Sequence, residues 1–471
     1  MTFEKLERIF MKTVAFHTLG CKVNTYETEA MQQLMEAAGY RCVDFSEKAD
    51  VYIINTCSVT NIADRKSRQM LHRARKMNED AIVVAAGCYV ESAKEKIDED
   101  LSIDIIVGNN NKNEIVNIIN EYLQDKNENR FIIDINKNTE YEEFNISKIN
   151  DHTRAFIKVQ DGCNQFCSYC IIPFTRGRVR SRKMENIIEE VKKLASSGYK
   201  EVVLTGIHLS SYGVDFLDES YNKRMELLTQ TEESDEEFVT KNELLNLIEN
   251  IAKVDGIERI RIGSLEPRII KEGFIKSLSE INKFCPHFHL SLQSGCDKTL
   301  KSMNRKYTAS EFYEGVELIR KYFDSPAITT DIIVGFPGES ERDFEESKAF
   351  VEKVKFYETH IFPYSVREGT KAAHMPQVDG NEKAKRANIL NEINLANQRE
   401  FRSQRITKVD EVLCEETFTL DGKEYYTGYT KEYVKIAVLK DGLNTNDIIK
   451  GKIARFLTDD ILLMEKEQNN V

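Results

Sequence analysis

Asp161-Gly162-Cys163-Asn164-Gln165-Phe166-Cys167-Ser168-Tyr169-Cys170 is the stretch that decides the fold, because it directly follows a run whose pattern predicts a β-strand, Arg154–Gln160. Helical segments such as Met184–Ser196 and Ser310–Tyr322 separate the strand-like runs that come after it. Those runs are Glu201–Gly206, Glu258–Ser264, His287–Gln293, Ile328–Val334 and Glu358–Tyr364. The alternation predicts a parallel βα barrel or partial barrel, whose active site lies at the C-terminal ends of the strands. The cysteines stand at such an end.

The C-x3-C-x2-C spacing of Cys163, Cys167 and Cys170 predicts a cluster with chemistry of its own. Structural zinc takes four ligands, and no fourth cysteine or histidine lies close to this trio in the sequence. Three thiolates suit an iron–sulfur cluster in which one iron has no protein ligand. Because an open iron can bind and reduce a small molecule, we expect a catalytic rather than a structural cluster.

The region before the barrel carries short runs of consecutive apolar residues, a pattern typical of strands buried on both faces of a parallel sheet. The runs are Thr13–Thr18, Val51–Thr56, Ala81–Gly87 and Ile103–Val107. Helical stretches at Glu27–Ala38 and Ala63–Met77 lie between them. We therefore expect an open α/β sheet built from βα units.

Three more cysteines follow strands of this sheet, since Cys57 and Cys88 come directly after the second and third runs and Cys21 comes three residues after the first. Ligands bind beyond the carboxyl ends of parallel strands, so three thiols delivered to that edge can converge on one site. The alternative is that each cysteine is a small buried residue at a strand end. Their common position at strand ends favours the shared site.

Length and composition exclude several classes of protein. The chain has 471 residues, enough for two to four domains, and a formal net charge of −12, which gives no support to wholesale coating of nucleic acid. Ten cysteines are too few for a disulfide scaffold. We expect neither a signal peptide nor a membrane span, and hence a protein of the reducing cytosol, where clustered cysteines serve as metal ligands or catalytic groups.

Further motifs narrow the class of enzyme. The C-x3-C-x2-C motif, with Tyr169 before its last cysteine, resembles the radical S-adenosylmethionine (SAM) enzymes. Combined with the three earlier cysteines, four more segments resemble the methylthiotransferase family, and the resemblance covers almost the whole chain. These segments are Ile172–Arg182, Gln293–Asp297, Met303–Arg305 and Gly335–Glu339.

The segment Gly20-Cys21-Lys22-Val23-Asn24, with Tyr26-Glu27, is similar to the branch of the family that acts on threonylcarbamoyladenosine in tRNA. The isopentenyladenosine branch usually has Gln-Met in place of Lys22-Val23, and the ribosomal-protein branch usually has Pro-Lys. The resemblance therefore implies methylthiolation of carbon 2 of N6-threonylcarbamoyladenosine at tRNA position 37. Isopentenyladenosine or a ribosomal-protein aspartate stays an alternative substrate. A non-catalytic RNA-binding protein whose cysteines hold zinc is a second alternative.

The resemblance also implies the cofactors and partners. Cys163, Cys167 and Cys170 would hold a 4Fe–4S cluster that binds SAM. Cys21, Cys57 and Cys88 would hold a second 4Fe–4S cluster that presents the sulfur to be transferred. The residues expected to contact SAM are Tyr169, Gly206, Ser264, Glu266, Gln293 and Gly335. The two glycines could equally serve only tight turns. The implied partners are tRNA bearing the threonylcarbamoyl group and a flavodoxin- or ferredoxin-like electron donor, in the cytoplasm and without a membrane.

Basic residues dominate the segment that follows the cysteine loop, with no acidic residue between Gly162 and Met184. If the segment is extended, alternate side chains share one face, and Arg176, Arg178 and Arg180 would there bind an anionic substrate group. Solvated arginines on an exposed loop are the alternative. The helix after Cys57 is basic as well. We expect its cations to be solvated, or to contact phosphates if the partner is nucleic acid. Its cations are Arg65, Lys66, Arg68, Arg73, Arg75 and Lys76.

The last part of the chain predicts a helix, 381–408, followed by short alternating strands that imply a small β-barrel. This barrel resembles the TRAM domain, an RNA-binding module, and four of its tyrosines could stack on bases or belong to its core. They are Tyr425, Tyr426, Tyr429 and Tyr433. The expected domains are thus 12–125, 149–380 and 404–467, with an acidic surface insertion at 215–237.

Overall fold

The structure is a computed structural model that describes residues 12–93, 97–127, 129–137, 140–144, 153–216 and 235–466. Its strands are β1 (Thr13–Thr18), β2 (Arg41–Val43), β3 (Val51–Thr56), β4 (Ile82–Gly87), β5 (Ile105–Val107), β6 (Arg130–Phe131), β7 (Arg154–Asp161), β8 (Arg180–Ser181), β9 (Glu201–Gly206), β10 (Arg259–Ile262), β11 (His287–Gln293), β12 (Ala327–Val334), β13 (Glu358–Pro363), β14 (Val409–Leu420), β15 (Lys423–Tyr429), β16 (Lys435–Leu439), β17 (Ile448–Phe456) and β18 (Leu462–Lys466). Its α-helices are α1 (Lys22–Ala37), α2 (Asn61–Met77), α3 (Cys88–Ala93), α4 (Ile115–Gln124), α5 (Ile172–Thr175), α6 (Met184–Ser196), α7 (Asp235–Lys241), α8 (Glu243–Ala252), α9 (Glu272–Ser279), α10 (Asp297–Ser302), α11 (Ala309–Tyr322), α12 (Glu341–Val354) and α13 (Gly380–Ser403).

The N-terminal sheet confirms the predicted open α/β fold. Its strands pair in parallel in the order β2-β1-β3-β4-β5-β6. Helices α1 and α4 cover one face and α2 and α3 the other, so every residue of β3 is buried. This two-sided burial is the reason why the strands were recognisable as continuous apolar runs. The strands β2 and β6 were not predicted, because three and two residues are too few to show a pattern.

The middle region is a partial parallel barrel, as predicted. Strands β10, β9 and β7 form one parallel sheet with the short antiparallel β8 at its edge, and β11, β12 and β13 form another. Two isolated parallel bridges, Ile260 to Phe284 and Leu265 to Leu290, join the two sheets beside β10 and β11. Most of the acidic insertion, residues 217–234, lies outside the described residues.

Side chains alternate between the two faces of the barrel strands. Leu290 of β11 and Ile332 of β12 belong to the large apolar core that also contains the covering helices α6, α8, α9 and α11. Successive residues of a strand point to opposite faces, so His289, Thr329 and Asp331 lie on the inner face of the barrel. The lumen is therefore lined by polar groups at mid-strand.

The C-terminal strands close into a small barrel in the order β14-β15-β16-β18-β17. Tyr425 and Tyr426 are buried, with only 5% and 7% of their surfaces exposed, and they pack in its core clusters. Of the two roles considered for these tyrosines, the core role is confirmed for this pair. No helix within the described ranges, the long and polar α13 included, has the length and apolarity needed to cross a membrane.

A loop of the C-terminal barrel, residues 430–434, covers the N-terminal end of the partial barrel. Arg261 donates hydrogen bonds to the carbonyls of Lys431 (2.8 Å) and Thr430 (3.1 Å). The rings of Tyr433 and Tyr429 stack at a centroid distance of 4.4 Å. The guanidinium of Arg261 lies 4.8 Å from the centre of the Tyr433 ring. Tyr429 and Tyr433 thus contact side chains at this junction, and stacking of their rings on bases stays a prediction.

The same junction contains a buried ion pair, between Arg261 Nε and Glu201 Oε1 at 2.8 Å. We expect Arg261→Leu to lower the free energy of unfolding by about 3–5 kcal/mol, because the buried carboxylate of Glu201 loses its principal partner. Urea unfolding followed by circular dichroism measures this change. Arg41→Leu, at an exposed arginine, is the matched control and should change the stability by no more than about 0.5 kcal/mol. Equal losses in both variants would contradict the prediction.

Candidate active site

Cys21, Cys57 and Cys88 lie together at the carboxyl edge of the N-terminal sheet. Cys21 is the N-cap of α1, Cys57 follows β3, and Cys88 is the first residue of α3 directly after β4. Burial, together with the nearby thiols of Cys88 and Cys21, raises the pKa of Cys57 to about 12. The sulfurs are therefore close enough to repel one another as thiolates, and a bound cation would relieve this repulsion.

Gly20 makes this convergence possible. Its φ of +101° lies in the left-handed region, and a Cβ at this position would stand 2.8 Å from Cys57 Cβ and 2.9 Å from its Sγ. Only a residue without a side chain lets the two strand ends approach so closely. The glycine before Cys21 is thus required by the close packing against Cys57, in addition to any role of the Cys21 thiol.

Cys163, Cys167 and Cys170 occupy one loop at the carboxyl end of β7. Burial and the neighbouring thiol of Cys167 raise the pKa of Cys163 to about 12, although the backbone N–H of Gln165 opposes the shift. The loop is held by the Met303-Asn304 segment, since Ser168 N–H donates to Met303 O (3.0 Å) and Asn304 Nδ2 donates to Phe166 O (3.0 Å). Three half-buried, mutually close sulfurs are a donor set that fits an iron–sulfur cluster.

Each trio receives N–H groups aimed at sulfur. Arg305 Nη1 lies 3.3 Å from Cys167 Sγ, while Arg176 Nε and Asn109 Nδ2 lie 3.3 and 3.7 Å from Cys88 Sγ. Such donors stabilise the negative charge of a cluster and raise its reduction potential. None of these residues was predicted to have this role, although Arg305 belongs to the Met303–Arg305 segment. Asn109 carried no sequence signal, because it lies far from its cysteine along the chain.

Arg176 is not available to a substrate, and its predicted substrate-binding role is wrong for this arrangement. Its side chain is fully buried. Each of its five N–H groups has a partner, because Nη1 and Nη2 bond Glu27, Asp161 and Asn24 at 2.6–3.1 Å and Nε bonds the Cys88 sulfur. Arg176 instead joins the N-terminal domain to the barrel, beside both cysteine trios.

A buried network of charges surrounds Arg176. Glu27 of α1 also pairs with Lys112 and, at 2.8 Å, with Lys158 of β7, which bonds Asp161 at 2.7 Å. Burial alone would raise the pKa of Glu27, but Arg176, Lys112 and Lys158 outweigh it and hold that pKa well below its usual value. Both carboxylates thus stay ionised, and the domain junction next to Cys163 and Cys88 is fixed by charge.

The arginine segment is not one extended run, so the condition for a shared arginine face is not met. Helix α5 ends at Thr175, Gly177 has a φ of +70°, and β8 has only two residues. Arg180 is consequently buried, with Nη2 3.7 Å from the Asp161 carboxylate, and cannot face an open substrate site. Arg178 is exposed, and its guanidinium lies 4.5 Å from the ring centre of Phe166 in the cysteine loop.

The residues predicted to contact SAM lie around the C-terminal ends of the barrel strands. Gly206 and Gln293 end β9 and β11, Ser264 and Glu266 follow β10, and Gly335 follows β12. Tyr169 lies in the cysteine loop, with its ring 6.3 Å from that of Phe336.

Some of these positions have structural reasons as well. A Cβ at Gly206 would stand 2.9 Å from Gln160 Oε1, and Gly335 has a φ of +66°. The Glu266 carboxylate accepts a hydrogen bond from Arg268 Nε (2.9 Å). Contact of these residues with SAM therefore stays a prediction.

A second contact between the domains was not predicted. Arg367, in the segment after β13, donates to Ser58 Oγ (2.8 Å) and Asn61 Oδ1 (2.9 Å) and pairs with Asp64 at 2.8 Å. Ser58 directly follows Cys57, so this arginine fixes the Cys57 loop against the barrel. An isolated arginine in a loop carries no pattern from which a partner 300 residues away could be inferred.

Comparison with known proteins agrees with this geometry. The Radical SAM superfamily model matches residues 157–351, and the model of the uncharacterized protein family UPF0004 matches residues 13–108. The chain is 41% identical over 447 residues to threonylcarbamoyladenosine tRNA methylthiotransferase MtaB of Bacillus subtilis (strain 168), which covers 94% of this chain and 93% of that protein. It is 38% identical over 424 residues to tRNA-2-methylthio-N(6)-dimethylallyladenosine synthase of Thermoanaerobacter sp. (strain X514), covering 86% and 83%.

Among solved structures, the fold is similar to that of the radical S-adenosylmethionine methyltransferase TsrM of Kitasatospora setae with cobalamin and a 4Fe–4S cluster bound. The TM-score is 0.50 at 15% sequence identity, over 77% of each chain. A parallel partial barrel with a C-x3-C-x2-C loop after its first strand defines a radical SAM enzyme. The chain belongs to the radical SAM methylthiotransferase family. It is a transferase, and its cofactors are SAM and two 4Fe–4S clusters.

Arg176 and Arg178 make a matched pair for testing the role of the buried network. Arg176→Gln should lower the stability by about 3–5 kcal/mol, because Glu27 and Asp161 lose a shared buried partner. For a domain of this size that is a fall in Tm of about 6–20 °C, measured by differential scanning calorimetry. Arg178→Gln, at an exposed residue, should shift the Tm by no more than about 2 °C. A similar Tm in both variants would show that Arg176 does not fix the junction.

Proposed function

We propose that this chain adds a methylthio group to carbon 2 of N6-threonylcarbamoyladenosine at position 37 of tRNA, in the cytoplasm. The observation that carries the proposal is that Arg176 bonds Cys88 of the sheet-edge trio and also Asp161, which lies two residues before Cys163 of the barrel trio. The similarity to the Bacillus subtilis protein over 94% of the chain supports the threonylcarbamoyl substrate. Lys22-Val23 after Cys21 supports the same branch of the family.

Cys163, Cys167 and Cys170 would hold the cluster that binds SAM, and Cys21, Cys57 and Cys88 the second cluster. Once bound, these groups supply the radical and the sulfur that the reaction needs, because carbon 2 of an adenine is not acidic enough for ordinary base catalysis. The contribution of the protein is binding, orientation and the exclusion of water. Tyr169, Gly206, Ser264, Glu266, Gln293 and Gly335 are proposed to form the SAM site around the strand ends.

Orientation of the two trios depends on the contacts between the domains. The Glu27–Arg176–Asp161 network lies beside Cys88 and Cys163, and the Arg367 contacts lie beside Cys57. All three members of the network are at most 1% exposed, so water is excluded from this side of the site. Rigid support of this kind is what a reaction between two separately held groups requires.

Arg178 is the proposed partner of the threonyl carboxylate. Of the three arginines predicted to bind an anionic group, it alone is exposed, and its stacking on Phe166 places it against the cysteine loop. A guanidinium can bind a carboxylate through two parallel hydrogen bonds, whereas an isopentenyl group offers no such partner. This observation favours the threonylcarbamoyl substrate over its closest rival.

Helix α2 is the proposed phosphate-contacting surface of the N-terminal domain. It begins four residues after Cys57 and exposes a row of cations to solvent. The exposed cations are Arg65, Lys66, Arg68, Arg73 and Lys76. The small C-terminal barrel remains a candidate RNA-binding module, although Tyr425 and Tyr426 lie in its core. The electron donor is proposed to be a flavodoxin- or ferredoxin-like protein.

Deleting the gene should abolish the methylthio form of threonylcarbamoyladenosine in bulk tRNA and cause its unthiolated precursor to accumulate. Mass spectrometry of nucleosides, with and without complementation by the intact gene, measures both species. Loss of only the isopentenyl methylthio nucleoside would move the chain to the other tRNA branch. An unchanged set of tRNA nucleosides would leave the ribosomal-protein substrate, or a zinc-containing RNA-binding protein, as the better account.

Cys57→Ala should distinguish the functions of the two cysteine trios. SAM cleavage should persist in this variant, because Cys163, Cys167 and Cys170 are intact, while methylthiolation of tRNA should be lost. The measurements are chromatography of 5′-deoxyadenosine and nucleoside mass spectrometry on anaerobically purified protein. Cys296→Ala, at a buried cysteine outside both trios, is the control and should retain both activities. Methylthiolation by the Cys57 variant would disprove the two-cluster arrangement.

A further inference from the structure

A third cluster of metal-binding side chains lies inside the partial barrel, apart from both cysteine trios. His289 of β11, Asp331 of β12 and His360 of β13 each offer one ligand atom, and these atoms all lie within 4.8 Å of one another. The His289 Nε2 to Asp331 Oδ2 distance is 3.2 Å. The two imidazole rings are nearly parallel, with centroids 5.7 Å apart and planes inclined by 28°.

Adjacent parallel strands hold the three side chains in place. Asp331 and His360 are direct Cα partners in the register of β12 and β13, and His289 pairs with Thr329 across β11 and β12. Their chain neighbours on the opposite face, Leu290 and Ile332, are buried in the main core. Rotation of these strands about their axes would therefore disturb that core. A site built on paired strands keeps its geometry better than a site on loops.

Thr329 completes the surroundings of His289. Its Oγ1 lies 3.0 Å from His289 Nδ1 and 3.4 Å from His287 Nε2. A hydroxyl can donate or accept, so it can bond either tautomer of His289. When it accepts from Nδ1–H, the other nitrogen, Nε2, is left unprotonated towards Asp331 and His360. Metal-binding histidines almost always have a second partner of this kind, which fixes the ring and its tautomer.

We propose that His289, Asp331 and His360 bind one divalent transition-metal ion, Zn2+ being the best match. Two imidazoles and one carboxylate suit a borderline cation, whereas Mg2+ and Ca2+ prefer oxygen ligands throughout. The site needs no thiolate and is therefore independent of the six cluster cysteines. Three protein ligands leave a coordination position for water or another oxygen ligand. His289 and Asp331 are half-buried and His360 is exposed, so this position is open to the lumen.

The alternative is a metal-free hydrogen bond from His289 to Asp331 with His360 stacked beside it. The two arrangements differ in what a zinc titration shows. The protein should first carry iron and sulfide in both cysteine trios, so that those thiolates are not free to take zinc. It is then equilibrated with Zn2+, desalted, and analysed by inductively coupled plasma mass spectrometry. We expect about one retained zinc ion per chain, as for a site with three protein ligands.

X-ray absorption at the zinc edge identifies the ligands directly. The proposed site predicts only nitrogen and oxygen neighbours at about 2.0–2.2 Å, and no sulfur at about 2.3 Å. Sulfur in the first shell would place the zinc on cysteine and overturn the proposal. Retention of less than about a tenth of an equivalent by the intact protein would overturn it equally, because even a three-ligand site should then be filled.

Variants locate the zinc. Asp331→Asn and His360→Ala should weaken zinc binding at least about 100-fold, and Thr329→Val, which keeps the volume and removes the hydroxyl, about 10–100-fold. His72→Ala, at an exposed histidine of α2, is the control and should bind zinc unchanged. Iron and sulfide contents equal to those of the intact protein show that each variant is folded. Unchanged zinc affinity in Asp331→Asn, His360→Ala and Thr329→Val would refute the site.

Discussion

Burial of the Glu27 carboxylate is the constraint on which the rest of the structure depends. A charge taken out of water is tolerated only when opposite charges surround it, and here the cations come from two domains: Lys112 from the N-terminal domain, and Lys158 and Arg176 from the barrel. The domains must therefore dock in one orientation for the charge to be compensated. Since Arg176 also reaches the Cys88 sulfur and Asp161, the same interaction sets where the two cysteine trios lie relative to each other.

The sequence predicted what depends on local pattern. The apolar runs of β1, β3 and β4 were recognisable because they are buried on both faces. Cys21, Cys57 and Cys88 lie at the strand ends at which the sequence predicted them. The alternating arginines do not share one face for a physical reason. Alternation places side chains on one face only where the backbone is extended, and Gly177 turns the chain. Partners distant in sequence, such as Arg305 with Cys167 and Arg367 with Ser58, leave no periodic signal.

The tyrosines of the C-terminal barrel show a related limit. An aromatic residue on a strand has the same appearance whether it faces solvent, a core or another domain, and here Tyr425 lies in a core while Tyr433 packs between arginines of the partial barrel. Exposed positive charge that could contact a polyanion lies on surfaces other than this junction. Helix α2 is such a surface, and it lies beside Cys57, so a polyanion bound along it would be held close to the sheet-edge trio.

The contact between loop 430–434 and the barrel also has a consequence for biosynthesis. Arg154, Arg259 and His287 are the first residues of β7, β10 and β11, and each contacts a group of the C-terminal barrel at this end. Glu201, the first residue of β9, pairs with Arg261 beside them. A ribosome makes those strands long before it makes residues 430–434. During translation these side chains are therefore open to water until the C-terminal segment has emerged, so the polar end of the barrel is covered last.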